Sequence, residues 1–384
     1  MTRPYGVLQH GDGYYLHPYF GEKEQKQVAR MPYVNLIDHD ALREVSHERV
    51  QRHVVRLPDT EFRFVHESAI IEYNGVLFVA WYSCPEKELQ GYTPIHGARS
   101  FDGGKTWTEK RVWAHDAQQV EMYCPPVFGI CDGELYLFVN SMHGFDNITA
   151  MEVYRWNAQT ETFDFCRRNE MCFKLNTNML TLSNGKRLLP GRSGVFGKNP
   201  LNPAVLISDS GAAEGDWRLV VVDTADILAS ETTVLEENGT LYMFCRNGGA
   251  DITRLYLSLD GGETWSSAAS HDIPLRSVKM YVGTLADGRH YVIGNAEASM
   301  RHKIILYLSE PHELRFTKYM VLYDMDAGEP YVPHTDMCHY PCVWETNGRL
   351  YISLTLNYTD TDLGDNTWLI RGISVYEIDL TDFD

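Results

Sequence analysis

Six Asn-Gly or Asp-Gly pairs punctuate this 384-residue chain at intervals of 58, 52, 54, 49 and 60 residues. They are Asn74-Gly75, Asp132-Gly133, Asn184-Gly185, Asn238-Gly239, Asp287-Gly288 and Asn347-Gly348. Each lies between strand-like apolar runs, as with Ala69-Ile70-Ile71-Glu72-Tyr73 before the first and Val76-Leu77-Phe78-Val79-Ala80-Trp81 after it. Both central residues of a type I′ turn take positive φ, which Asn, Asp and Gly tolerate best, so the pairs predict tight hairpins. A period of this length that recurs six times restricts the fold to a repeat architecture.

A second marker follows by roughly half a repeat. Ser100-Phe101-Asp102-Gly103-Gly104-Lys105-Thr106-Trp107 and Ser258-Leu259-Asp260-Gly261-Gly262-Glu263-Thr264-Trp265 are nearly identical, 158 residues apart. Weaker echoes run from Trp156 to Phe163, from Ser208-Asp209-Ser210 to Trp217, and from Ser309 to Phe316. Asp accepts bonds from turn amides and the glycines take left-handed positions, so this marker predicts a second hairpin. Two hairpins per module make four strands, the composition of a β-propeller blade. No stretch shows a useful 3.6-residue apolar stripe. Ile37 to Val54 comes nearest, as a short helix or an irregular lead-in. We therefore expect an all-β, six-bladed propeller of four-stranded antiparallel blades in one domain spanning 1–384. Residues 61–384 form the modules. Residues 1–60, with their own Asp12-Gly13, form a lead-in, a ring-closing strand or a degenerate seventh blade.

Charge narrows the partners. Against 34 Lys and Arg stand 52 Asp and Glu, a net of −18, which disfavours nucleic acid and anionic membrane. A local arginine cluster can still hold an anionic small ligand, because distant surface charge is screened over about 8–10 Å. Aromatic residues reach 12 % of the chain, which suits sheet packing first and sugar stacking second. No apolar run approaches the roughly 18 residues of a membrane span. The first 20 residues lack the apolar core of an export signal, and with eight cysteines this predicts a cytoplasmic protein with reduced thiols.

The two full markers resemble the Asp-box, Ser-x-Asp-x-Gly-x-x-Trp, of the sialidase (neuraminidase) superfamily, over roughly residues 60 to 384. The resemblance implies a sialidase-like propeller with a site around the axis on one face. That site is built from the starts of the innermost strands and the ends of the strands that follow. Module one offers Arg63, His66 and Glu67 there, with His96 at the start of its third strand. Tyr123 and His143 come from module two, Asn178 and Arg192 from three, Glu231, Arg246 and Asn247 from four, Asn295 and Arg301 from five, and His339 and Tyr340 from six.

Glu231 opening the fourth inner strand, Arg246 closing the next and Tyr340 opening the sixth match the superfamily's pattern most closely. The resemblance assigns Tyr340 as nucleophile, Glu231 as its base, and Arg192, Arg246 and Arg301 as the grip on a substrate carboxylate, a task planar guanidinium forks suit. The superfamily's first arginine falls here on Val65-His66-Glu67-Ser68, with Arg63 the nearest guanidinium. Its acid has no counterpart in Cys84 to Ile95, which holds only Glu86 and Glu88. Histidine titrates near neutrality, so His66 or His96 becomes the candidate acid.

The expected function is a glycosidase that removes a terminal acidic sugar from a glycan. One alternative is a lyase acting on uronic-acid glycans by β-elimination at His and Tyr; another is a propeller that only binds glycan. Each candidate also has an ordinary reading, as a solvated strand-end arginine, a satisfied histidine or a structural tyrosine. No metal or cofactor is expected. The spacing of His334, Cys338, His339 and Cys342 would suit zinc, and equally a loop entering a strand.

Overall fold

The computed structural model describes residues 32–57, 59–144, 147–194, 201–222, 224, 229–247, 253–296, 301–324, 335–358 and 371–384, together with the backbone of the short paired strands Leu8–Gln9 and Tyr15–Leu16. Six antiparallel sheets follow one another along the chain. Blade one is Phe64–Tyr73, Val76–Cys84, Ile95–Ser100 and Arg111–Ala114. Blade two runs Met122–Cys131 to Thr162–Glu170, and blade three Phe173–Leu175 to Arg218–Val221. Blade four has Ala229–Glu237, Thr240–Asn247 and Arg254–Ser258, and its fourth strand is reduced to a bridge between Leu255 and Ala269. Blade five is Tyr281–Thr284 to Phe316–Asp324. Blade six is Thr335–Thr346, Arg349–Tyr358, Arg371–Asp379 and, from the other end of the chain, Gln51–Arg56.

Successive blades touch, mostly through their innermost strands and from blade three to blade four through Arg187–Ser193, and blade six returns to blade one, so the ring closes. Apolar residues fill the wedges between neighbouring sheets, as with Phe78, Trp113, Phe128, Trp156 and Phe163 between blades one and two. The Trp156 to Phe163 echo thus packs as its aromatic ends require. Among the described residues the sole helical element is a 3₁₀ turn, Leu380–Phe383, and no helix is long and apolar enough to cross a membrane.

Residues 32–57 decide between the alternatives the sequence left open, as an irregular lead-in whose last strand, Gln51–Arg56, closes the ring. They form neither a seventh blade nor a helix over Ile37 to Val54, but a strap along the outer edges of blades four, five and six. Tyr33–Val34 pairs with Ser270–His271, Arg43–Glu44 with Lys318–Tyr319, and Gln51–Arg56 with Glu377–Ile373. Asp272 fixes the entry by accepting the amides of Leu36 at 2.7 Å and Ile37 at 3.1 Å. Edge strands with unpaired amides are thereby covered. Asp12-Gly13 lies outside the described residues.

The hairpins divide into two kinds. At Asn74, Asp132, Asn238 and Asn347 both turn residues have positive φ, the type I′ geometry. At Asn184 and Asp287 only the glycine does. There the side chain instead accepts the amide two residues on, from Lys186 and Arg289, in a longer turn. The two Asp-boxes share their Ser-Asp-Thr hydrogen bonds. Ser100 and Ser258 each donate to their Asp at 2.8 Å, and Asp102 and Asp260 each accept the Thr106 or Thr264 amide at 2.9 Å. They lie on the loops beyond the third strands, away from the axis.

Candidate active site

Near their starts, the innermost strands of blades one, two, four and six each carry a bulge. The register slips between His66 and Ala69, Tyr123 and Pro126, Ala229 and Thr232, and His339 and Cys342. An extra residue re-aims a side chain that a regular pleat would bury in the sheet. Glu67 and Tyr340 hold φ of 48° and 59° there, a left-handed conformation that costs a non-glycine residue on the order of 1–3 kcal/mol. Glu67, Glu231 and Tyr340 each stand seven residues before a hairpin asparagine, Asn74, Asn238 and Asn347. Three blades therefore present one rung of the ring to the axis.

On that rung Glu231, Arg246 and Tyr340 meet. Arg246 Nη1 donates to both Glu231 oxygens, at 3.0 and 2.9 Å, and to the Tyr340 hydroxyl at 3.2 Å. The Tyr340 hydroxyl donates to Glu231 Oε1 at 3.0 Å. Burial works against the Glu231 charge, but Arg246 and then Arg192 more than offset it and hold the carboxyl far below its usual range. Burial, reinforced by Glu231, pushes the Tyr340 phenol well up. The resting site is thus a neutral phenol against an ionised carboxylate, with a guanidinium clamping both.

Cations surround the phenol. Arg301, itself at φ 65°, lies 5.5 Å from the Tyr340 ring, and the Lys279 ammonium lies 5.4 Å from it on blade five's side. Lys279 pairs with Glu67 at 3.5 Å, and Glu67 accepts the Cys124 thiol at 3.6 Å. Burial disfavours the Lys174 charge, but Cys124 and Glu67 nearby raise its pKa overall. Arg371 lies 4.3 Å over the Phe64 ring. His66 packs 4.3 Å from Tyr340 and 5.0 Å from His339, and bonds Thr355 through Nδ1 at 2.9 Å. Burial first, then Arg371, His339 and Arg301, keep His66 neutral; burial with Arg301 and Arg371 does the same for His339. Six basic side chains (Lys174, Arg192, Arg246, Lys279, Arg301 and Arg371) face three carboxylates, Glu67, Glu88 and Glu231. In a chain of net charge −18, this is a local excess of positive charge.

The sequence expectations divide accordingly. Glu231, Arg246, Tyr340, His66, His339, Arg301 and Arg192 gather here, the last through its charge on Glu231. His96 does not. It sits inside blade one against Phe62 and Trp81, bonds Ser83 at 2.8 Å, and is held neutral by burial with a pKa of about 3. Tyr123 donates to Glu152 at 2.9 Å and His143 faces Glu121 at 3.5 Å, both parts of an ion network around Arg168. Asn178 and Asn295 are buried staples between blades, to Phe128 and Ile70 and to Cys338 and Lys303. Asn178 accepts the Phe128 amide and donates to the Ile70 carbonyl, while Asn295 donates to two carbonyls, each amide bridging strands that no ladder joins. Asn247 is tied through its backbone to Ser277. Arg63 joins by its carbonyl, which accepts the Arg371 amide at 3.0 Å; the guanidinium beside blade one's inner strand belongs to Arg371. Of the zinc-like spacing, His334 lies outside the described residues, while Cys338 and Cys342 are in the apolar core. Among the described residues no three metal-ligating side chains converge.

Four site residues escaped the sequence reading or received no role. Glu67 was recognisable from the seven-residue offset it shares with Glu231 and Tyr340. Lys174, Lys279 and Arg371 carry no comparable signal: Lys174 lies within the short inner strand of blade three, Lys279 two residues before that of blade five, and Arg371 opens a third strand.

Comparison with known proteins agrees with this fold. The BNR repeat-like domain family matches residues 75–352. No curated protein gives a significant match. Among solved structures, a protein of unknown function from Dyadobacter fermentans is similar with a TM-score of 0.65 at 16 % identity, covering 86 % of this chain and 99 % of that one. A Hadza microbial sialidase gives 0.64 at 14 %, covering 84 % of this chain and 66 % of that one. Trypanosoma rangeli sialidase gives 0.65 at 14 %, covering 86 % and 59 %; it has also been solved with sialic acid. The chain spans less than two thirds of the length of these two sialidases. At such identities the likeness is one of fold.

Proposed function

Because the chain belongs to the BNR repeat-like domain family, and its propeller is sialidase-like, we propose that it is a glycoside hydrolase that removes a terminal acidic sugar from a glycan. The observation that carries this reading is the Tyr340 hydroxyl bound at once to Glu231 and Arg246. A phenol is a weak nucleophile until a base takes its proton, and the base must already be in contact. Tyrosine in place of the usual carboxylate nucleophile is a recognised glycosidase variant.

The opposed pKa shifts set the order of events. Glu231 holds its proton poorly and Tyr340 tightly, so the proton moves only as the bond between the Tyr340 oxygen and the anomeric carbon forms. The glycosidic bond breaks in the same step. The Glu67–Lys279 pair, beside the Tyr340 ring, holds the proton that the leaving oxygen takes. Water then attacks the anomeric carbon, returns a proton to that pair, and Tyr340 regains its own from Glu231. Arginine excess supports the acidic class of sugar, since buried guanidinium groups favour planar anions.

The test is a screen of sialosides, glucuronides, rhamnosides and unsaturated uronides, read for reducing-sugar release and for ultraviolet absorbance of an unsaturated product. Tyr340→Phe is expected to cut hydrolysis by about 10³-fold or more. Turnover within tenfold of wild type rejects Tyr340 as nucleophile, and an unsaturated product replaces the hydrolase with the lyase.

A further inference from the structure

We infer that the propeller holds a second binding site, at the hairpin end of its axis, for a single neutral sugar ring. A cavity of about 360 Å³ lies there among blades three, four, five and six, within the roughly 300–1,000 Å³ of ligand pockets. Its walls are residues 177–181, 233–236, 281–284 and 343–345. It therefore shares strands with Glu231 and Tyr340 but lies on the hairpin side of both. Exposure rises outward, from Thr177 and Asn178 at 3 % to the exposed Thr181 and Thr284 at the mouth. That mouth is at the opposite end of the strands from the candidate active site, and the cavity stands apart from the acidic-sugar reading.

The lining sets the chemistry. Among the described residues Ala229–Glu237, Tyr281–Thr284 and Thr335–Thr346 each form a ladder on one side only. Alternate amides and carbonyls of the other edge therefore turn toward the axis, a mixture of donors and acceptors that hydroxyl groups can match. At the inner end the Thr177 hydroxyl is buried without a hydrogen-bond partner, which is unfavourable unless a ligand or water completes it. Trp344, half-buried, and the stacked Tyr281 and Tyr291, with ring centroids 6.4 Å apart, add apolar surface for the C–H faces of a sugar. Charge argues against the other classes of ligand. No Lys, Arg or His is among the described residues that line the cavity, so an anion finds no counter-charge. Its two carboxylates are already engaged, Glu236 with the Ser183 amide and hydroxyl and Glu345 with the Ala286 amide. Burial also raises the Glu345 pKa, which weakens it as a partner for a cation.

The test titrates the full chain with glucose, galactose, mannose and N-acetylglucosamine, and with glucuronic acid and choline as charged comparisons, by calorimetry and ligand-observed NMR. Two variants place the site. Thr181→Trp fills the exposed mouth, and Trp344→Ala removes an aromatic wall. At least one neutral sugar should bind wild type, and Thr181→Trp and Trp344→Ala should each weaken that binding by about tenfold or more. If Trp344→Ala does not fold, Thr181→Trp decides alone, since Thr181 is a surface residue. Binding that survives Thr181→Trp at the wild-type level puts the sugar elsewhere and overturns the inference. So does the absence of neutral-sugar binding up to about 50 mM, which leaves the cavity a water-filled channel. Tighter binding of choline or glucuronic acid that Thr181→Trp abolishes keeps the cavity as a site but overturns its assignment to a neutral sugar.

Discussion

The six innermost strands have two ends, and the ends follow opposite rules. At the hairpin end, Gly75, Gly133, Gly239 and Gly348 turn with positive φ in open space, with nothing within 4 Å of where a Cβ would stand. Carboxylates there are satisfied by neighbouring turns: Glu236 accepts the Ser183 amide at 2.8 Å, and Glu345 accepts the Ala286 amide at 2.7 Å. At the other end the strands bulge, Glu67 and Tyr340 sit at left-handed φ, and buried cations outnumber carboxylates. Local rules are obeyed where the strands only need to turn, and broken where they converge on the axis. Concentrated violation of this kind is expected at a functional site and needs the surrounding ring to hold it.

The largest effect should come from the strained end. Glu231→Gln keeps the shape but removes the base that faces Tyr340, and turnover should fall by about 10²–10⁴-fold. Steady-state kinetics on whichever glycoside the screen identifies would measure it. Activity within tenfold of wild type would mean the two ends differ in strain but not in chemistry. A smaller effect concerns acid. His66, His96, His271 and His339 are all held below the ordinary imidazole pKa by burial, His96 and His271 at about 3. The unfolded chain therefore binds protons near pH 6.5 that the folded chain refuses. Their stability is complete above about pH 6.5 and is lost as pH falls toward the folded values, at about one proton, or 1.4 kcal/mol per pH unit, for each histidine. His339 faces Arg301, Arg371, Arg246, His66, Asn357 and Tyr340. Urea unfolding of His339→Gln between pH 5 and 6.5 should show a slope reduced by one proton; an unchanged slope would mean that His339 takes up a proton without unfolding.

What the sequence made legible follows the same division. Asn-Gly pairs and the Ser-x-Asp-x-Gly-x-x-Trp marker are local devices, so their chemistry is complete within a few residues, and the six-bladed ring follows from their period. Glu231, Arg246 and Tyr340 were legible through a resemblance that pairs motif with register. The rest of the site was not, because its members are defined by neighbours on other blades. Asn178 and Asn295 have the composition of sugar ligands, and only the contacts to Ile70 and Cys338 identify them as staples. His96 lies at a strand start like His66, yet faces Trp81 within its own blade. Arg371 is distant in sequence from Phe64, which it covers, and no periodicity links them.

The smallest effect tests the hairpin end. Gly75 has φ 80° and open surroundings, so Gly75→Ala adds no clash and penalises only the left-handed backbone, at about 1 kcal/mol. Gly185→Ala should cost a similar amount, since its φ is 85° in equally open space, although its turn is of the other kind. Chemical denaturation would measure both, and turnover of the folded variants should stay at the wild-type value. This pairing separates the two ends of one strand: Gly75 and Glu67 are eight residues apart in blade one, and the first should alter stability alone. A loss of activity in folded Gly75→Ala would show that the hairpin sets the height of the bulge. The rung that carries Glu67, Glu231 and Tyr340 would then depend on turn geometry at the far end of the strand.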